Sequence, residues 1–157
     1  MKKGLYSLLA FIPLLIGGYF LFQSASANSE AMLTYLKDTH EYTIIFTDLL
    51  EQEASMMENG TEEEFFVFTK ETLIPKLEEM QADSKAYGEG IEKKQLKDIH
   101  EIDVKAVEKY IEGQYAWLEG NYEEADAFFE EYDQLTGEYE EKLDKLAKKW
   151  AVEIEWE

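Results

Sequence analysis

The chain has 157 residues, of which 35 are acidic and 15 basic, a formal net charge of -20 at pH 7. A surface this negative repels phosphate backbones, which excludes nucleic-acid binding. There is no cysteine, which excludes disulfide staples, thiolate nucleophiles and thiolate metal sites, so stability must come from packing alone.

Lys2 and Lys3 precede an uncharged apolar run, Gly4 to Phe22, followed by Gln23-Ser24-Ala25-Ser26-Ala27. A basic start, a hydrophobic stretch and a small-residue Ala-x-Ala site follow the order of an export signal. As a helix rising about 1.5 Å per residue, the run would be roughly 28 Å long, close to the thickness of a bilayer core. Two outcomes stay open: cleavage after Ala27 with release, or retention as a single anchor with the rest of the chain outside. Both make the protein extracytoplasmic, with residues 4–22 as its one membrane contact. Residues 28–157 then form one domain, and the loss of Lys2 and Lys3 on cleavage would make it more acidic still.

From Asn28 onward the pattern is helical. Leu33, Leu36, Ile45, Phe46, Leu49, Leu50, Met56 and Met57 recur at spacings of three and four and predict a first helix capped by Asn28 or Ser29 and running to about Glu58. Asn59-Gly60 closes it, the glycine supplying a left-handed turn. Thr61-Glu62-Glu63-Glu64 fits a capping box for a second helix. Pro75 sits inside that helix and should kink or split it, and Gly88 and Gly90 should stop it.

A third helix begins near Gln95, carries Leu96, Ile99, Val107, Tyr110, Ile111 and Trp117, and ends at Gly120-Asn121. The fourth has the strictest pattern. Tyr122, Ala125, Phe129, Tyr132, Thr136, Tyr139, Leu143, Leu146 and Trp150 alternate spacings of three and four, a seam facing a partner helix. Glu138–Lys142, Glu141–Lys145 and Asp144–Lys148 have the i,i+4 spacing of helical ion pairs, and Gly137 is the weak point of the helix. The tail from Val152 to Glu157 alternates apolar and acidic residues, the period of an extended segment. Four helices with short links predict an all-α, antiparallel up-down four-helix bundle after the N-terminal signal or anchor. A retained anchor would bring Trp150 and Trp156 near the membrane.

Few patterns point to chemistry. His40, His100 and Asp103 are the candidate metal ligands, each histidine being followed by a glutamate. The Glu-x-x-His motif of di-iron bundles is missing, since Lys37 and Lys97 stand three residues before the histidines. No calcium loop, nucleophile elbow or phosphate loop occurs, so no catalytic residue is assigned and no cofactor is expected. Tyr122, Phe129, Tyr132, Tyr139 and Trp150 are the candidate binding residues, an aromatic seam able to line a groove beside the Pro75 kink.

The stretch Tyr115 to Phe129 resembles a single tetratricopeptide helix turn, with Gly120, Tyr122, Ala125 and Phe129 at the matching positions. No repeat period accompanies it, so the likeness implies a tight helical hairpin. Leu73-Ile-Pro-Lys-Leu-Glu-Glu, Asp98-Ile-His-Glu and the segment Glu140 to Ile154 resemble uncharacterised exported helical-bundle proteins of Bacillus-type Gram-positive bacteria. That resemblance implies an extracytoplasmic bundle and transfers no catalytic residue. The expected function is therefore non-enzymatic binding of an envelope protein or peptide, a basic one fitting the charge. The alternative is a metal- or cofactor-binding bundle.

Overall fold

The computed structural model describes residues 26–154, and the expected export segment, residues 4–22, lies outside them. The described residues are almost entirely helical: α1 (Ala27–Asn59), α2 (Glu62–Phe68), a π-helical turn (Thr69–Leu73), α3 (Ile74–Glu89), α4 (Lys94–Leu118) and α5 (Tyr122–Lys149). Together they form a helical bundle. Among these residues no helix is long and apolar enough to cross a membrane.

The helix ends follow from local chemistry. Ser26 caps α1, its hydroxyl accepting from the Ser29 backbone N–H at 3.1 Å. The cap therefore lies before Asn28 and Ser29, the residues expected to provide it. Ser29 is instead buried and donates to the Trp150 carbonyl at 2.7 Å, tying the start of α1 to the end of α5. Thr61 and Glu64 form the expected capping box. Gly60 ends α1 in an extended conformation rather than a left-handed one. A side chain there would lie 2.6 Å from the Met56 carbonyl oxygen, so close backbone approach is what requires glycine. Gly120 does adopt the left-handed conformation, at φ +79°.

Pro75 affects the second helix through the turn before it. The Ile74 N–H reaches back five residues to the Thr69 carbonyl. A wider π turn relieves the crowding that a proline ring imposes on the preceding turn of an α-helix. The rod continues through α3 past Gly88, which is helical and buried, and ends at Glu89.

The core has three clusters along the bundle. One joins Met32, Tyr35 and Leu36 of α1 to Leu96, Ile99, Tyr139 and Leu143. The next joins Leu49 and Leu50 to Leu73, Leu77, Tyr110 and Tyr132. The last packs Phe65 against Ala116, Trp117 and Ala125. Helices α4 and α5 run closely together along much of their length. Gly113 permits this, because a Cβ there would lie 2.6 Å from the Phe129 ring. Helix α1 approaches α4 and α5 far less closely and reaches them through long side chains. The Phe46 ring, for instance, sits 5.5 Å from Tyr110 and 6.0 Å from Tyr132.

The fourth-helix seam faces inward from Ala125 onward, but Tyr122 is 53% exposed and lies off it. The three expected i,i+4 pairs form, with Glu138–Lys142 at 2.6 Å, Asp144–Lys148 at 2.7 Å, and Glu141–Lys145 also in contact. In the tail, Trp150, Val152 and Ile154 are buried while Ala151 and Glu153 are exposed, the expected period of two. Ala151 takes a left-handed turn at φ 57°, after which the Val152 N–H bonds back to the Ala147 carbonyl at 2.9 Å. Trp150 therefore belongs to the core and offers little surface to a membrane. Trp156 lies outside the described residues.

Candidate functional site

The candidate residues separate into different environments. His40 is exposed on α1, whereas His100 on α4 is 1% exposed. Asp103, one turn beyond His100, is half-buried at the wall of a cavity. Among the described residues no three His, Cys, Asp or Glu side chains come together in a way that could hold a metal ion. Tyr132 and Tyr139 line the same cavity as Asp103. Phe129 is half-buried against the middle and distal clusters, Trp150 is in the proximal core, and Tyr122 is on the surface.

His100 is fully engaged. Its Nε2 lies 2.8 Å from the Ser84 carbonyl. A carbonyl can only accept, so Nε2 carries the proton and Nδ1 accepts from the Tyr35 hydroxyl at 3.3 Å. The Tyr139 hydroxyl continues the chain at 3.4 Å from that of Tyr35. Burial lowers the His100 pKa, opposed in part by the Ser84 carbonyl, so the ring is neutral at pH 7. Gly88 leaves room for it, since a Cβ there would meet the ring at 2.6 Å.

A second buried network lies toward the other end. Glu53, 3% exposed, accepts from the Tyr110 hydroxyl and, at 2.7 Å, from the Gln114 amide. Burial raises its pKa while both hydrogen bonds oppose the rise. Glu53 stands four residues after Leu49 on the apolar stripe of α1. An acidic residue in that register was the one signal in the sequence that could have found it.

The cavity is where packing gives way. It has a volume of about 90 Å³ and lies between α1, α3, α4 and α5. That is ample room for water, which needs only about 10–15 Å³. Its wall on α1 is Thr39, Thr43 and Thr47, one turn apart on one face, with the rings of Tyr42 and Phe46 beside them. The three threonines, on a helix that stays back from α4 and α5, leave part of this space unfilled. Thr39 and Thr43 donate their hydroxyl hydrogens to the carbonyls of Tyr35 and Thr39, at 2.8 and 3.4 Å. Each keeps its oxygen as an acceptor.

Asp103 forms no hydrogen bond or ion pair with the described residues, and burial alone pushes its pKa up to about 6. Glu140 also lines the cavity, its pKa raised by the same cause. No lysine lines it. The site is thus a small chamber lined by aromatic rings, hydroxyl groups and two carboxyl groups. No protein-family model matches the chain, and neither the curated proteins nor the solved structures include a match.

Proposed function

We propose that this protein is a non-enzymatic, extracytoplasmic binding protein, an antiparallel up-down four-helix bundle that receives part of an envelope partner in the cavity beside α1. The observation that carries the reading is the cavity itself. It is a partly open cavity walled by Tyr132 and Tyr139, with Tyr42 and Phe46 beside them. Rings surrounding a few polar groups are the usual make-up of a ligand pocket, and the small volume suits a single side chain or a compact molecule.

The antiparallel course is supported by contacts at both ends. Ser29 meets Trp150, while Phe65 packs on Trp117 with ring centroids 4.9 Å apart. Export is supported by the order of residues 1–27. Cleavage after Ala27 would remove the Ser26 cap, and losing a serine cap costs about 0.5–2 kcal/mol. The tethered form keeps it and holds the Asn59-Gly60 and Gly120-Asn121 turns away from the membrane.

The test is in-cell crosslinking with the native chain and with Thr43→Phe, which plugs the half-buried rim of the cavity. A partner captured by the native chain and lost with the plugged, still folded variant is the expected result. Equal capture by both would sink the reading. The intact mass of the recovered chain reports whether residues 1–27 remain.

A further inference from the structure

We infer that the cavity binds a compact alkylammonium group, with its N–H donors on the Asp103 carboxylate and its carbon chain against the rings of Tyr132, Tyr139 and Phe46. The inference rests on the binding reading above and names the chemistry of the ligand.

Asp103, like Glu140, is a carboxylate of the cavity lining that no described residue hydrogen-bonds or pairs. One turn away, His100 has a partner on each nitrogen, and farther along Glu53 has a partner on each oxygen. Asp103 has none, though it is withdrawn enough from water for its carboxyl to be perturbed. A half-buried carboxylate at a cavity wall without a protein partner is open to a water, an ion or a ligand. Every charged group lining this cavity has the same sign, Asp103 and Glu140, and the hydroxyls of Thr39 and Thr43 have already donated their hydrogens. Hydroxyls of Thr47, Ser84, Tyr132 and Thr136 also line it, but both charged groups of its lining are carboxylates and it holds no cationic side chain, which matches a group that donates and carries positive charge.

The remaining lining selects among cations. Calcium asks for about six to eight oxygen ligands, and magnesium holds its waters tightly. Ten of the fourteen lining side chains carry oxygen, but only Asp103 and Glu140 carry charge, and the side chains of Phe46, Met80, Ala106 and Val107 supply no oxygen at all. These four suit methylenes, while tyrosine rings attract an ammonium through their faces. The strong negative charge of the whole chain raises the local concentration of any such cation.

Such a group can come from a free amine or from a lysine side chain of a basic peptide, and one titration series separates them. The full chain, in detergent where the N-terminal segment is retained, is titrated calorimetrically near pH 7.5. The probes are n-butylammonium, its neutral counterpart 1-butanol, calcium and a lysine-containing peptide. The expected result is that butylammonium binds more tightly than butanol, and that Asp103→Asn weakens it by about tenfold or more, the loss of one charge-assisted hydrogen bond. Glu140→Gln at the rim should weaken it less. A peptide that outcompetes butylammonium assigns the ammonium to a protein partner, and one that does not assigns it to a free amine. Thermal melts of both variants show whether they remain folded. Butylammonium binding unchanged in folded Asp103→Asn, or absent at every concentration, overturns the inference, as does calcium binding in its place. Butanol binding that Thr43→Phe blocks would leave the cavity a binding site while removing the ammonium, so the two readings fail separately.

Discussion

His100 and Asp103 stand three residues apart on α4, and their surroundings oppose each other. The histidine is enclosed by groups that satisfy it: Tyr35 on one nitrogen, the Ser84 carbonyl on the other, and Gly88 making room for the ring. The aspartate faces a cavity and receives nothing from the protein. A side chain with its hydrogen bonds filled holds a fold together. One left unfilled and half-buried weakens the fold and stays free to act on something else. The contrast is the basis for proposing that His100 serves structure and Asp103 recognition.

Breaking the partnered side should have the largest effect. His100→Ala leaves a void and strips Tyr35 and Ser84 of partners. Such changes cost about 3–5 kcal/mol, which urea denaturation will show as a lower midpoint at unchanged slope. Gly88→Ala presses on the same ring. Overpacking costs about 1–3 kcal/mol, offset in part by alanine's better helix propensity. A fall in melting temperature is expected, and it should vanish in the His100→Ala background, where there is no ring to press on.

The unpartnered side should respond with the opposite sign. Asp103→Asn is expected to stabilise the protein at pH 7.5 by about 1–2 kcal/mol. That is less than the roughly 3 kcal/mol of a two-unit pKa shift, because water reaches the half-buried carboxyl. The folded pKa of Asp103, about 6, lies above its ordinary value of 3.8, so the fold binds this proton more tightly than the unfolded chain does. The stabilisation from protonation is complete below about pH 4 and is lost as pH rises through 6. The gap between variant and native chain should therefore open across that interval. Of the groups around Asp103, Tyr35, Tyr132 and Tyr139 stay neutral there, their pKa values raised by burial. Glu140, also raised, and His100, whose pKa burial lowers from the ordinary imidazole value, change charge in the same range. His100 is common to both chains, so urea melts from pH 4 to 8 should compare them directly and be repeated in Glu140→Gln.

Gly137→Ala touches neither side. A Cβ at Gly137 meets nothing within 4 Å, and replacing glycine in a helix gains about 0.5–1 kcal/mol. It should raise the melting temperature slightly and leave ligand binding alone, which makes it the control for the other three.

Much of the helical framework was legible because its causes are local. The Thr61–Glu64 capping box, the ion pairs of α5 and the alternating tail each depend on residues a few positions apart, and each forms as its spacing predicts. Even the disturbance near Pro75 was legible, because a missing N–H is a property of one residue. The candidate metal ligands show where this stops. Helical spacing placed His100 and Asp103 on related faces but could not reveal Tyr35, Ser84 or the threonines of α1, which arrive from other helices. Thr39, Thr43 and Thr47 carried a faint signal, a polar stripe running on from Tyr35 and Leu36, whose meaning depended on how far α1 stands from its neighbours.

The sequence by itself determined the acidic charge, the helices, most of their ends and the inward face of α5, since these arise from composition and from contacts within a turn or two. Only the tertiary structure decided that His100 is answered and Asp103 is not. That difference depends on which atoms distant segments bring within hydrogen-bond reach, and on the space left where α1 stands back from α4 and α5.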